Sequence, residues 1–477
     1  MYKNNNNLAT LCLLLGILLL TAACSGGGGG GGSDPDPDPN PEPPCCVVEP
    51  PTGTGALPDR AEHDNAFESA HYAGSAECTV CHDHISDEAD NDVSIGRDWS
   101  ASMMANSTRD PYWIAKVASE INKHPHLKDV LNDTCSTCHA PMANDEAKKS
   151  GKTFEILGEN GLISASNEYF NHTMEGVSCT FCHQMADNGL MGTIDGVSGK
   201  FFVEQYENED DRPAYGQYAD PNGAYMVAVS NFNPQYGSHI STSESCAVCH
   251  DLRTPSLDEE GQLITDVEED FFPEQMVYSE WLHSDYATGG TKEKTCQNCH
   301  MPKAEGEVLL ATEGGGDPRT GFSKHTFLGA NTVMQTILKN YREELGISVE
   351  PELFDRSIAL NREFLRTAAD LQIVATSLEG NKLTTSIQIT NQTGHKLPSG
   401  YPSRRVFVHF VVTNAQSEVV FESGKVNSDG SIVGVATDKD TSQYESHYNV
   451  ITAADQVQVY EAIMGTSDGD VTHTLLR

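Results

Sequence analysis

Five short segments of the chain repeat one spacing of two thiols and an imidazole, Cys-x-x-Cys-His. At this spacing the two thiols can add to the vinyl groups of one haem, while the adjacent imidazole reaches the iron. The repeats therefore predict five covalently attached c-type haems, with the five histidines as proximal iron ligands. The cysteines are Cys78, Cys81, Cys135, Cys138, Cys179, Cys182, Cys246, Cys249, Cys296 and Cys299, and the histidines are His82, His139, His183, His250 and His300.

Two other kinds of site use Cys-x-x-Cys. A structural zinc site needs four ligands, so its half-sites come in pairs, and the histidine need not follow the second cysteine directly. A thioredoxin-like redox site needs one copy near a βαβ pattern. Five copies, each followed by histidine, fit neither arrangement.

The second axial ligand of each iron decides what such a haem can do. Histidine or methionine there closes the iron for electron transfer, and an open position admits a substrate. His172 and His239 each lie seven residues before the first cysteine of a motif, and His283 lies thirteen residues before Cys296. We name these three as candidate distal ligands, with surface positions as the alternative.

The N-terminus has the pattern of an export signal. Met1–Ala23 contains one lysine, a short apolar stretch and small residues before Cys24. This looks like the cleavage site of a bacterial lipoprotein, so we predict a signal peptide over 1–23, a lipidated Cys24, and a chain anchored to a membrane without spanning it. Ser25, as that resemblance implies, favours the outer membrane. The location would be its periplasmic or cell-surface side, and the alternative is an ordinary signal peptide with a chance cysteine.

Composition divides the rest of the chain. Residues 24–60 are Gly-rich and then Asp-Pro-rich, which predicts a disordered spacer. Residues 61–346 hold all five motifs with no long helix or strand pattern between them. They predict a mostly α, loop-rich pentahaem domain. A connecting helix is predicted within 347–371.

Residues 372–477 change to a β pattern. Two hairpins are predicted, from Leu371–Leu378 with Leu383–Thr390 and from Val406–Thr413 with Glu418–Glu422. Further short strands with turn residues favour a β-sandwich-like domain. The fold class is therefore predicted to be α+β. Helices are also predicted over Ile114–Asn122, Thr332–Glu344 and Pro351–Leu371.

The charge balance limits the partners. The chain has 30 basic and 69 acidic residues, a formal net charge of −39. Nucleic acid and anionic membrane surfaces are therefore excluded as partners on electrostatic grounds. A basic redox protein as partner would explain this negative charge. A role of the charge in keeping the protein soluble would explain it equally well.

Several segments resemble those of multihaem c-type cytochromes of the cytochrome c-552/c-554 group, from about Ser75 to the end. They are Trp99–Ala105, Arg109–Pro111, Glu175–Ser178, Cys296–Pro302, His325–Asn331 and Asn391–Arg405. The resemblance implies that His325 and His395 are distal iron ligands. The alternatives are that His325 lies next to a helix cap and that His395 is a turn residue. It also implies that the β domain of relatives extends further than this chain. Met103 or Met104 could be the distal iron ligand of the first haem, and the alternative is that they pack in the core.

Three classes of function remain open. The first is electron transfer between periplasmic or extracellular redox partners. The second is oxidoreduction of a small nitrogen or sulfur compound at one open haem, and the third is a binding module whose β domain docks a partner. All five motifs end in histidine, whereas pentahaem nitrite reductases carry lysine at their catalytic haem. This difference and the supply of distal histidines favour an electron carrier over a catalyst.

Overall fold

The computed structural model describes residues 65–162, 164–208, 211–265, 271–466 and 468–476. It is 29% helical and 18% strand, which confirms the α+β class. The predicted signal peptide, Cys24 and the spacer lie outside the described residues. No helix among the described residues is both long enough and apolar enough to cross a membrane.

Each Cys-x-x-Cys-His motif ends a helix or forms one. A helical turn places residues three apart on one face, so the two thiols of each motif point the same way. These helices are α1 (Ala76–His82), α4 (Lys128–His139), α7 (Cys179–Cys182), α9 (Ser243–His250) and α11 (Cys296–His300).

The other helices separate and support the motifs. They are α2 (Ile95–Ser100), α3 (Pro111–Lys123), α5 (Pro141–Lys149), α6 (Phe170–Met174), α8 (Ala224–Ser230), α10 (Val277–Leu282), α12 (Thr332–Asn340), α13 (Arg342–Leu345) and α14 (Pro351–Leu365), with 3-10 turns at Pro125–Leu127 and Ser238–Ser241.

Two predicted helices differ from the observed ones. The helix predicted over Thr332–Glu344 is interrupted at Tyr341, and its second part ends at Gly346, whose φ of 64° suits glycine. The connecting helix ends at Leu365, so its predicted extension to Leu371 is wrong. Leu371 instead pairs with Ile389 in a strand ladder, which overrides its helical pattern.

The strands form two-stranded sheets throughout the described residues. The pairs are β1–β2 (Arg212–Gly216, Phe232–Tyr236), β3–β4 (Asp251–Thr254, Phe272–Met276), β5–β6 (Glu307–Val308, Arg319–Thr320), β7–β8 (Ala369–Glu379, Lys382–Asn391), β9–β12 (Arg405–Phe407, Val459–Glu461) and β10–β11 (Phe410–Thr413, Val419–Ser423). The pair β1–β2 is parallel and β3–β4, β5–β6, β7–β8 and β10–β11 are antiparallel.

The first predicted hairpin forms, and the second forms in part. Its predicted strand Val406–Thr413 is split, because β9 pairs with β12 and only β10 pairs with β11. The long one, β7–β8, pairs Leu378 with Leu383 across its turn. Its strand β7 is exposed along nearly its whole length, with Leu371 57% and Leu378 69% exposed. No second sheet therefore covers this hairpin among the described residues, and the predicted sandwich is not confirmed.

The described chain divides into two compact units. One consists of residues 406–460 and the other of residues 65–405 and 461–476. The predicted boundary at 371/372 thus differs from the observed one, because the β7–β8 hairpin and the segment carrying His395 belong to the unit that holds the motifs. That unit has several small apolar clusters. Cysteines of the motifs pack at the edges of two of them: Cys135 in one, and Cys182 with Cys249 in the other.

Candidate haem-binding site

The ten motif cysteines are free thiols, all partly buried. Some thiols of different motifs lie within hydrogen-bonding contact of each other. Cys296 and Cys246 form one such pair. This contact lowers the pKa of Cys296 to about 7 and raises that of Cys246. The contacting pairs are Cys78 with Cys179, Cys138 with Cys249, and Cys246 with Cys296.

These contacts give the motifs a spatial order that differs from their order in the chain. The motif 1 thiol Cys78 meets Cys179 of motif 3, and Cys182 of motif 3 lies near both thiols of motif 4. Motif 4 also meets motif 2 through Cys138 and motif 5 through Cys296. The proximal histidines show neighbours that agree with this order. His82 acts electrostatically on His183, and His139 and His300 each interact electrostatically with His250. Motif 4 is therefore the junction.

Four of the five proximal histidines are held by backbone carbonyls. In each, Nδ1 lies within hydrogen-bond distance of a carbonyl oxygen and would donate to it, so that Nε2 keeps its lone pair for a metal. The pairs and distances are His82 with Leu310 at 2.8 Å, His139 with Ser107 at 3.2 Å, His183 with Tyr215 at 2.6 Å and His300 with Leu328 at 2.5 Å.

His250 is the exception among the five. No hydrogen bond to its ring is found in the described part of the chain, and its side chain is exposed. Burial nevertheless lowers its pKa to about 4, with smaller contributions from His300 and Arg404. The His250 ring is therefore accessible at its surface although many protein atoms surround it.

Two proximal histidines face a second imidazole. The ring centroids of His183 and His325 are 6.3 Å apart with 25° between their planes, and those of His300 and His395 are 6.4 Å apart with 16°. A metal–imidazole bond is about 2 Å long, so one iron bound by two imidazoles separates the ring centroids by about 6 Å. The spacing of both pairs therefore fits a haem iron between the rings.

Burial favours the neutral form of three of these four rings, those of His183, His300 and His325. It lowers the pKa of His325 to about 3 and lowers that of His183 and His300 as well. A neutral imidazole is the form that binds a metal. His395 Nδ1 lies 2.8 Å from the Lys396 carbonyl and can donate to it, which leaves its Nε2 free in the same way.

The three other candidate distal ligands lie in different surroundings. His172 is buried, and neither of its ring nitrogens has a hydrogen-bond partner among the described residues, an uncommon state for a buried polar group. His239 Nε2 lies 2.8 Å from the Met185 carbonyl, so only its Nδ1 could reach an iron. His283 is exposed and its Nδ1 donates to the Ser279 carbonyl at 2.7 Å. Among the described ring contacts, none of the three faces a proximal histidine.

The two methionines proposed for the first haem pack in the core. Met103 contacts the cluster around Leu338, and Met104 the cluster around Phe181. Both positions match the alternative to iron ligation, which is packing in the core.

Several residues of this site were not identified from sequence. Trp113 stacks on His139 with centroids 4.4 Å apart and 7° between the planes. The carbonyls that hold the proximal histidines belong to residues of no particular type, so no sequence signal marks them. From the sequence, Glu175 was identified only as part of a segment that resembles one in multihaem cytochromes, although its side chain connects two motif segments.

Gly176, next to Glu175, shows how closely the chain packs before motif 3. Its φ is 59°, and an added Cβ would lie 2.6 Å from the Met104 carbonyl oxygen and 2.7 Å from that of Ala105. We expect Gly176→Ala to lower the free energy of unfolding by about 1–3 kcal/mol more than Gly189→Ala, because of this overpacking. Gly189 has a similar φ of 81° with nothing within 4 Å of the added Cβ, so it isolates the left-handed cost of about 1–2 kcal/mol. Chemical denaturation of the two holoproteins measures the difference, and equal losses would contradict it.

In the described part of the structure, no three or more histidine, cysteine, aspartate or glutamate side chains are grouped so that they could hold a bare metal ion. No protein-family model, no curated protein and no solved structure matches this chain.

Proposed function

We propose that this protein is a pentahaem c-type cytochrome that relays electrons between redox partners. The proposal includes a haem domain followed by a sandwich-like β domain, and tethering to the outer membrane through Cys24. The partners would be redox proteins on the periplasmic or extracellular side, with basic surfaces suited to the net charge of −39.

The observation that carries the proposal is the spacing of the two imidazole pairs. His183 with His325 and His300 with His395 leave room for one iron between them, and each pair includes a motif histidine. A haem supplies a one-electron couple when it is bound, and two imidazole ligands close its iron to substrates. The side chains thus favour electron transfer over catalysis at motifs 3 and 5.

The spatial order of the motifs supports a continuous path. Contacts between cysteines join motif 1 to motif 3 and motif 4 to motifs 2 and 5, and Cys182 of motif 3 lies near both thiols of motif 4. The chain's own contribution is to hold the attachment sites side by side and to orient four of the five motif histidines through their Nδ1 hydrogen bonds. Electrons entering at any motif would have a route to every other.

One observation favours a second candidate function. His250 is exposed, lacks the backbone acceptor that the other four proximal histidines have, and faces no second imidazole among the described ring contacts. An open iron at motif 4 could oxidise or reduce a small nitrogen or sulfur compound.

Mass and spectra of the purified, exported protein test the proposal. We expect the mass of five haems per chain and low-spin spectra for the haems at motifs 3 and 5. A haem count other than five would overturn the proposal. A resting protein that binds nitric oxide at one haem would favour the second candidate.

A further inference from the structure

Glu175 connects two motif segments from a fully buried position, with 0% of its surface exposed. Its Oε1 accepts a hydrogen bond from the Ser75 hydroxyl at 3.0 Å. Its Oε2 accepts one from the Ser75 amide at 3.0 Å and one from the Ser178 hydroxyl at 2.5 Å. Ser75 directly precedes α1 and Ser178 directly precedes α7, so one carboxyl group joins the segments of motifs 1 and 3.

A buried arginine accompanies this carboxyl group. Arg109 is 1% exposed, and its guanidinium donates to the carbonyls of Ala105 at 3.3 Å, Met174 at 2.5 Å and Gly346 at 3.2 Å. Its positive charge acts on Glu175 through space. These backbone contacts fix the guanidinium in place, so the charge beside Glu175 does not move when the carboxyl group changes its own charge.

Few other charges face Glu175. The Cys78 thiol does, and Cys179 and Glu77 act on that thiol in turn. Attachment of a haem converts the thiol to a thioether, which does not titrate. Arg109 is then the charged group that acts on Glu175 among the described residues.

Glu175 is poised to titrate near neutral pH. Burial raises its pKa to about 7, while the hydrogen bonds from Ser178 and Ser75 and the charge of Arg109 lower it by less. An added negative charge nearby raises the pKa of a carboxyl group further. An electron arriving at a haem beside Cys78 or Cys179 is such a charge, because the motif 1 and motif 3 thiols touch next to this carboxyl.

We propose that Glu175 is a proton-binding site coupled to the arrival of an electron at motif 1 or motif 3. The proposal rests on the proposed function, since it needs haems at these motifs. A haem held at either motif would supply a one-electron couple, and its electron would come from a redox partner or an electrode. One proton from solvent forms an O–H bond on the Glu175 carboxylate, and reoxidation releases both. Because linkage is reciprocal, protonation of Glu175 also raises the affinity of the pair for an electron.

The test is a potentiometric titration of the five-haem protein at a series of pH values. Below the pKa of Glu175 in the oxidised protein the carboxyl group is already protonated, so the midpoint potential of the motif 1 and motif 3 haems is independent of pH. Between that pKa, near 7, and the higher pKa of Glu175 in the reduced protein, the potential falls by up to about 59 mV for each tenfold drop in proton concentration. Glu175→Gln should remove this dependence and leave the haem count at five.

Infrared difference spectra of the wild-type protein give a second readout that does not depend on how a variant folds. Electrochemical reduction at pH 8 should produce the absorption of a protonated carboxyl group, shifted in deuterium oxide. Ser178→Ala removes a hydrogen bond to the ionised form, so it should move the onset of the pH dependence upward.

Glu274→Gln is the matched control, because Glu274 is also buried, its pKa is also raised to about 7, and it lies near Cys135 of motif 2. We expect it to leave the carboxyl signal assigned to Glu175 in place. Wild-type protein with five haems but no carboxyl signal on reduction would overturn this proposal alone. A haem count other than five would overturn the proposed function instead.

Discussion

Replacing His395 by alanine is expected to convert one of the five haems from low-spin to high-spin. His395 faces His300 at 6.4 Å, so its loss leaves the motif 5 iron with one imidazole and an open position. The change is all-or-none for that iron, because His300 keeps its own hydrogen bond to Leu328. Electron paramagnetic resonance of the oxidised protein measures it, and the reduced variant should bind carbon monoxide at one site per chain.

His409→Ala is the control for this experiment. His409 is also a partly exposed histidine in the C-terminal part of the chain, and it pairs with Glu422 at 3.0 Å, with no motif histidine among its described contacts. We expect this variant to keep the wild-type spectrum. Added imidazole should restore the low-spin signal in His395→Ala. A full haem count with an unchanged spectrum in His395→Ala would remove His395 as an iron ligand.

Removing the haem attachment site of motif 4 is expected to prevent folding, whereas removing that of motif 5 is not. Motif 4 contacts motifs 2 and 5 and lies near motif 3, whereas motif 5 contacts one motif among the described thiol pairs. Truncating one large aromatic side chain costs about 3–5 kcal/mol, and a porphyrin is larger than such a side chain, so its absence at the junction would cost more. The whole stability of a domain is about 5–15 kcal/mol, so the central loss is not tolerated.

The variants are Cys246→Ser with Cys249→Ser for motif 4, and Cys296→Ser with Cys299→Ser for motif 5. The yield of exported protein and thermal unfolding followed by circular dichroism compare them. Cys45→Ser with Cys46→Ser is a matched double substitution outside the motifs, and it should retain five haems and the wild-type melting temperature. Equal yields and melting temperatures for the motif 4 and motif 5 variants would show that motif 4 is not a junction.

The sequence predicted the parts of the site that depend on local spacing. Two thiols three residues apart fall on one face of a helical turn wherever the turn lies, so the motifs could be identified without a fold. His172 and His239 show the limit of that reasoning. Both lie seven residues before a motif, yet one has no hydrogen-bond partner for either ring nitrogen and the other has its Nε2 beside a carbonyl.

Residues brought together from distant parts of the chain could not be predicted by spacing. The pairing of His183 with His325 depends on how the loops after motif 5 fold back, and nothing in the local pattern specifies that path. The predicted C-terminal end of the connecting helix was wrong for the same reason. The pairing of Leu371 with Ile389 overrides the helical periodicity near Leu371. Tertiary contacts decide such cases.

The separation in sequence between interacting motif residues has a consequence for biosynthesis. The carbonyl that orients His82 lies 228 residues further along the chain, and Glu175 lies 100 residues after the serine it holds. Folds dominated by such distant contacts form slowly, since long loops must close before their contacts contribute. On the proposed export route, motif 1 would cross the membrane well before the segments that complete its surroundings. The chain would remain open to the haem-attaching enzymes during this delay, and folding would close over cofactors already in place.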